Sequence, residues 1–219
     1  MQKVLIVGGN RGIGLELCRQ ISARGDQVFA TTREPAAALE DLELDIIPGV
    51  DVGDDSSVAR LAEALTGVRL DVLIHGAGIL TRESWHDLDF DRIRRQFEIN
   101  TLGPLRVVSA LRDNLGPGSK VGIVTSRVGS IDDNGSGGNY GYRMSKVAAN
   151  MVGKNLSHDL GGRDIAVFLL HPGLVATEMT GRTGIDPADA ARGLIERMDN
   201  LNLSDTGTFW HAEGYSLPW

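Results

Sequence analysis

The sequence predicts an α/β fold in one domain, a doubly wound parallel sheet of about seven strands with helices on both faces. Three observations carry the prediction. Short β-branched apolar runs alternate with helix-patterned stretches along the chain. Glycines follow the first and fourth of those runs, where a strand must turn into the next segment. No repeat, low-complexity tract or Pro/Ser linker divides the 219 residues, a length that supports one large core.

The elements follow in order. "KVLIV" (3–7) is a buried strand ending in "GGNRGIG", and "LELCRQISARG" is an amphipathic helix stopped at Gly25. "QVFATTR" (27–33) is a second strand, "LDIIPGVDV" (44–52) contains a third, and "DDSSVARLAEALTG" (54–67) is a helix with Asp or Ser as caps. "LDVLIHGAG" (70–78) is a fourth strand running into glycines. A long helix is expected from about Asp87 to Asp113, kinked at Gly103-Pro104. "KVGIVTS" (120–126) is the fifth strand and 139–160 a long helix. "DIAVFLL" (164–170) is the sixth strand, 186–198 a last helix with Pro187 in its first turn, and "GTFWHA" (207–212) the final strand.

Composition excludes several function classes. A net charge of −7 argues against general nucleic-acid binding, which needs a basic face. No apolar run approaches a membrane span, and "MQKVLIVGGN" lacks a signal-peptide core. The single Cys18 can form no internal disulfide, and its helical setting reads as a small buried apolar residue. A cytoplasmic protein with no nucleic-acid or membrane partner is expected, and no metal.

In a doubly wound sheet ligands collect at the carboxyl ends of the strands. The turn after the first strand carries Gly8, Gly12 and Gly14, whose missing side chains let backbone approach a pyrophosphate on the amino end of the next helix. A glycine trio alone is weak; its place between the first strand and a helix makes it a dinucleotide signal. At the end of the second strand stand Thr31, Thr32 and Arg33 rather than a carboxylate, and Arg11 lies in the glycine turn. Arginine matches a ribose 2′-phosphate as a planar fork, so NADP(H) is favoured over NAD(H).

Tyr142 stands four residues before Lys146, which on a helix puts phenol and ammonium on one face. Tyr140 is the rival phenol, but Lys146 lies six residues on, off that face. Singly, each polar residue has an ordinary reading: an exposed helix pair, a strand-end cap at Ser126, a helix-interior polar residue at Asn100.

Together the motifs are more specific. "VGGNRGIG", Asp51-Val52, Asn100 in "FEINTLGP", Ser126 in "VTSRVGS", "Tyr142-Arg-Met-Ser-Lys146" and "HPGLVATE" resemble the short-chain dehydrogenase/reductase family, in that family's order and over nearly the whole chain. The sixteen residues from Ser126 to Tyr142, "GGNYGYRMSK", "LHPG" and the closing "SLPW" are similar to the branch of sniffer carbonyl reductases and C-factor signalling proteins. The resemblance implies a Rossmann fold. It also implies a catalytic set of Asn100, Ser126, Tyr142 and Lys146, with Tyr142 as general acid/base, Ser126 orienting a carbonyl, Lys146 on the nicotinamide ribose and Asn100 holding a relay water. Gly8, Asn10, Arg11, Gly12, Ile13 and Gly14 would line the phosphates, with Thr32 and Arg33 beside the adenosine ribose. Asp51 and Val52 would flank the adenine, Ala77 and Gly78 would follow the fourth strand along the cofactor, and Pro172, Gly173, Val175 and Thr177 would hold the nicotinamide end.

A free phenol titrates near pH 10; Lys146, helped by the charge of the nicotinamide, is expected to lower that by about 1–3 pH units. Two positions depart from the family pattern: Val7 stands where threonine is usual, and Gly76 where asparagine begins the turn after the fourth strand, with His75 before it as a structural residue. The segment from Thr177 to Pro187 is short, so an open pocket is expected, with Leu174, Trp85, Met179 and Arg143 as candidate lining. The function implied is an NADPH-dependent carbonyl reductase acting on a small-molecule carbonyl or alcohol, the alternative a dinucleotide-binding signalling protein. A nucleotide-sugar epimerase would need a longer carboxyl-terminal region. Relatives pair through the helix after Tyr142 and the last helix, so a homodimer or homotetramer is expected.

Overall fold

The apolar runs pair into one seven-stranded parallel sheet in the order β3-β2-β1-β4-β5-β6-β7 in the computed structural model, which describes residues 1–219. Its strands are β1 (Lys3–Val7), β2 (Gln27–Thr31), β3 (Asp45–Ile47), β4 (Val72–His75), β5 (Lys120–Val124), β6 (Ala166–His171) and β7 (Thr208–His211). Burial follows position. All six residues of β6 are buried, whereas β3, at the open edge, is the least covered. At the other edge the tail shields β7: Tyr215 O accepts from His211 N, Leu217 N donates to Phe209 O, and the Trp219 ring stacks on Phe209 at 5.7 Å. An edge covered this way offers few free ladder groups to another strand.

Side chains alternate across each strand, so every strand feeds two cores. Leu5, Val7, Val167 and Leu169 point to one face, where they meet α3 (Asp55–Ala64), α5 (Gly103–Ala110) and α6 (Tyr140–Gly161) through Leu61, Val107 and Leu156. Val4, Ile6, Phe168 and Leu170 point to the other, against α1 (Gly12–Ala23) and α7 (Pro187–Asn200) through Leu17, Ile21, Leu194 and Met198. Chain order reverses across the sheet at β1, between β2 and β4, which opens a crevice at the carboxyl ends.

Two local features differ from expectation. A four-residue helix, α2 (Ala37–Glu40), escapes sequence analysis because a single turn carries no periodicity. The long helix expected over 87–113 is three pieces: α4 (Phe90–Phe97), capped by Asp89, a π-helical turn over Glu98–Leu102, and α5. In the π turn Gly103 N donates to Glu98 O, five residues back. Pro104 follows with no N–H to give, so the ladder widens where it would otherwise break. That turn carries Asn100 into the interior.

Candidate active site

Gly8 and Gly12 adopt φ of +87° and +53°, a region that side-chain-bearing residues avoid. At Gly14 the reason for glycine is space: a Cβ there would stand 2.0 Å from Gly8 O. The turn is anchored by Gly8 N donating to Thr31 Oγ1 (3.1 Å) and Gly9 N donating to Thr31 O (3.0 Å). Beneath it Cys18 is fully buried and its thiol pushed up to about 12 by burial, as an apolar packing residue. Arg11, at the N-cap of α1, makes no side-chain cap bond, so the first amides of the helix face outward at its positive end. This cradle, which a Cβ would fill, fits a diphosphate.

The other side of the groove is the segment after β6. Thr177 Cγ2 lies 3.1 Å from where a Gly12 Cβ would be, and Arg11 Nη1 is paired with Glu178 Oε2 at 2.6 Å. Gly173 has φ +89°, and Val175, buried, bridges to Ile185. Pro172 joins this segment to β6. At the end of β2, Thr32 is buried with its Oγ1 lacking a partner, and Arg33 is exposed, 4.0 Å from Glu34. Asp51 Oδ1 accepts from Gly53 N while Oδ2 meets Arg95 Nη2 at 3.2 Å; Val52 is buried beside it. Asn10 and Ile13 lie within the glycine turn and the first turn of α1. Ala77 Cα lies 3.0 Å from an added Gly8 Cβ, closing the crevice toward β4.

The titratable cluster stands where these walls meet. Lys146 and Tyr142 lie one turn apart on α6, with the ammonium 5.7 Å from the phenol ring centroid, within cation–π range. Lys146 is buried, its Nζ donating to Val124 O at 3.0 Å, and burial pushes it down to about 8. Ser126 follows β5 by two residues and caps the short turn Arg127–Gly129, whose Gly129 packs against the Lys146 backbone. Tyr142 is pushed up to about 12 by burial, and hydrogen bonding with the Ser126 hydroxyl pulls the other way. The expected lowering of the phenol is therefore corrected: desolvating a would-be tyrosinate outweighs the hydrogen bond with Ser126.

The Asn100 side chain is fixed by three hydrogen bonds. Its Oδ1 accepts from Ile79 N (2.8 Å), and its Nδ2 donates to Ile79 O (2.9 Å) and Ser145 Oγ (3.0 Å). It ties the chain after β4 to α6, and a Gly78 Cβ would stand 3.2 Å from Asn100 Oδ1 and 3.7 Å from Lys146 Nζ. Gly76, in the usual asparagine position, holds the sheet through its backbone alone, Gly76 N to Val7 O at 2.9 Å.

Of the residues expected to line the substrate pocket, Leu174, Trp85 and Met179 are exposed, with Trp85 beside Tyr140 at 6.3 Å between rings. Arg143 is turned to its own loop, donating to Gly137 O and Ser136 Oγ. Thr31 stands in the threonine pair after the second strand and Glu178 closes "HPGLVATE", whereas Glu83 lies outside every recognised motif; the contacts of all three emerge only in the fold.

Two histidines give the site an acid limit. His75, buried in β4, is pushed down to about 3 by burial, with the charge of Lys146 adding to it. His171, ending β6, is pushed down to about 3 by burial and then by His211, whose ring lies 4.9 Å away. Unfolded histidine titrates near 6.5, so below that the unfolded chain binds protons that the folded one refuses. Stability is expected to fall as pH drops from about 6.5 toward 3, by up to about 1.4 kcal/mol per pH unit for each histidine. Urea unfolding at about pH 7.5 and about pH 5.5 checks this, with a smaller loss expected in His75→Gln.

Comparison with known proteins agrees with this geometry. Residues 2–187 match the family model described as short chain dehydrogenase. The chain is 48% identical over 226 aligned residues, with full coverage of both proteins, to 1-hydroxy-2-glutathionyl-2-methyl-3-butene dehydrogenase of Rhodococcus sp. (strain AD45). It is 43% identical over 156 residues to C-signal of Myxococcus xanthus, covering 68% of this chain and 93% of that one. The carbonyl reductase Sniffer of D. melanogaster superposes over the whole of both chains with a TM-score of 0.92 at 28% identity. NADPH-bound carbonyl reductase from chicken fatty liver does so with a TM-score of 0.89 at 28% identity, over 100% of this chain and 99% of that one. A family match over most of the length, end-to-end similarity to a dehydrogenase and a glycine turn on the first helix lead to one conclusion: this chain belongs to the short-chain dehydrogenase family of oxidoreductases.

Proposed function

We propose that the protein is an NADP(H)-dependent carbonyl reductase or alcohol dehydrogenase in which Tyr142 is the general acid/base. The observation that carries this is the junction of Tyr142, Lys146 and Ser126 with the uncapped, glycine-lined end of α1. The nicotinamide nucleotide supplies or takes a hydride at the carbon of the substrate. Gly8, Asn10, Gly12, Ile13 and Gly14 hold its diphosphate, Asp51 and Val52 its adenine, and Pro172, Gly173, Val175, Thr177, Ala77 and Gly78 its nicotinamide end. Lys146 binds the ribose hydroxyls and keeps a positive charge beside the phenol. Ser126 donates to the substrate oxygen as negative charge grows there. Tyr142, protonated at neutral pH, then gives that oxygen its proton. Asn100 fixes the chain around Gly78 and Lys146.

NADP(H) is the proposed coenzyme because Arg33 is exposed at the end of β2 with only a distant acidic neighbour, and Arg11 stands in the phosphate turn. A structural neighbour of the same fold carries NADPH. Thr32 Oγ1, buried without a partner, is next in the chain to Arg33 and would bond the same end of the nucleotide. Fluorescence titration is expected to show tighter NADPH than NADH binding. Arg33→Glu is expected to weaken NADPH about tenfold or more, the scale of one arginine–phosphate contact, and to leave NADH nearly unchanged. Equal affinities in the parent protein would overturn the preference.

For the substrate, end-to-end identity of 48% to a dehydrogenase of a glutathionyl butenol favours an alcohol or aldehyde next to a thioether, on a bulky conjugate. Leu174 and Met179, exposed on the segment that carries Val175 and Thr177, suit such a group. A panel of ketones, aldehydes, quinones and hydroxyalkyl glutathione conjugates separates these classes. Tight NADPH binding without turnover on any of them would favour a signalling role, the reading that similarity to C-signal supports. No helix is long and apolar enough to cross a membrane, and a cytoplasmic setting is proposed from the lone buried thiol. A homodimer or homotetramer is proposed through α6, which exposes Met144 and Met151, together with Leu102 of the π turn and Leu105 of α5.

A further inference from the structure

The helix that carries Tyr142 and Lys146 has no cap of its own. Asn139, which precedes it, sits in the left-handed region at φ +46° and makes no side-chain cap bond. A helix that begins this way leaves its first amides unpaired. Here they are met by a residue 58 positions away: Glu83 Oε2 accepts from Gly141 N at 3.2 Å, and Glu83 O accepts from Asn139 N at 2.9 Å. Glu83 is only 4% exposed. Its other oxygen accepts from the Thr81 hydroxyl and from Gln96 Nε2 (3.1 Å), and Gln96 Oε1 accepts from Thr81 N (3.1 Å). A buried carboxylate is strongly unfavourable unless paired or fully hydrogen-bonded. Three donors and the positive end of a 22-residue helix meet that need.

Glycine at 141 makes the arrangement possible. A Cβ there would lie 2.2 Å from Gln96 Nε2 and 3.0 Å from Ile93 Cγ1. The first turn of α6 is thus pressed against α4, with the carboxylate at the junction, and Tyr142 is the next residue. We propose that Glu83 is a positioning residue for Tyr142: it sets the first turn of α6, and with it the phenol, against Ser126. The role rests on the reading of Tyr142 as proton donor. It adds a requirement that the motif Tyr142–Lys146 does not contain.

Glu83→Gln tests it, because an amide accepts on one side only. Its NH2 must face either Gly141 N–H or the pair of donors from Thr81 and Gln96. The exchange Glu83→Gln/Gln96→Glu removes the conflict: the amide at 83 accepts from Gly141 N and donates to the carboxylate at 96, which still accepts from Thr81 N. Expected for Glu83→Gln is a kcat about 10- to 100-fold lower, as for a small misplacement of a reacting group. The Kd for NADPH stays within about twofold, and amide exchange quickens at residues 141–143 relative to the middle of α6. The exchange variant is expected to regain both kcat and protection. Thr81→Val, which removes one donor to the same carboxylate, gives the same pattern more weakly and serves if Glu83→Gln does not fold.

Unchanged kcat and unchanged exchange in Glu83→Gln would overturn the proposal. So would loss of NADPH binding together with faster exchange along all of α6, which marks a general weakening of the fold. If the parent protein turns nothing over, the carbonyl reductase reading fails instead, while exchange at residues 141–143 still decides whether Glu83 holds that turn.

Discussion

Tyr142→Phe is expected to lower kcat by about 10²–10⁴-fold, the usual contribution of a placed acid or base, with NADPH affinity nearly unchanged. The substitution removes one hydroxyl and leaves the ring that faces the Lys146 ammonium, so packing and the cation–π contact persist. Single-turnover rates with saturating NADPH, alongside a fluorescence titration, separate the two effects. The pH dependence has a definite sign. Burial pushes the phenol up to about 12, so the protonated form needed to reduce a carbonyl is present throughout the neutral range. Oxidation of an alcohol needs the tyrosinate, which is scarce at neutrality, so its rate is expected to climb with pH. Lys146 is pushed down to about 8, and its charge fades above that. Reduction is therefore expected to be level below about pH 8 and to decline beyond it. A variant at 142 with parental kcat would remove Tyr142 from the chemistry.

The second large effect is expected at Gly14. A methyl group there would lie 2.0 Å from Gly8 O and 3.0 Å from Gly8 C, both backbone atoms that no rotamer change can move. Gly14→Ala must therefore open the turn, at a cost on the order of 1–3 kcal/mol for overpacking. Displacing even one amide from a phosphate oxygen loses about 1.5–3 kcal/mol, so NADPH affinity should drop about 10- to 100-fold. Gly135→Ala is the control, since nothing lies within 4 Å of the added atom and φ is not positive there. Thermal unfolding with and without NADPH reads both quantities. Gly14→Ala should lose stability and most of the shift induced by nucleotide, and Gly135→Ala neither. An intact shift in Gly14→Ala would mean that the nucleotide does not sit on this turn.

How far these sites were legible depends on the range of the interactions that make them. The seven strands stand close to where apolar runs place them, because a strand covered on both faces needs consecutive apolar residues. Helix α6 begins within a residue of its expected start, and Tyr142 and Lys146 share a face by helical spacing alone. By contrast α2 was invisible, being a single turn, and the π turn at Glu98–Leu102 was read only as a kink at the neighbouring Pro104. Asn100 was recognised by its setting in a motif, but its bonds to Ile79 and Ser145 join segments 21 and 45 residues apart. The phenol was expected to be shifted down and is shifted up, because burial depends on what covers the residue, which spacing does not contain.

Local sequence dictates the alternation of strand and helix, the glycine turn before α1 and the pairing of Tyr142 with Lys146. Each of these rests on steric limits or periodicities that span only a few residues. The packed fold is what makes Thr31 anchor the glycine turn, pairs Arg11 with Glu178 across the groove, and brings Glu83 to the start of the Tyr142 helix. Those contacts join residues 23, 167 and 58 positions apart. Which donor meets which acceptor over such distances is set by how the sheet and helices pack, and that is settled by the whole core at once.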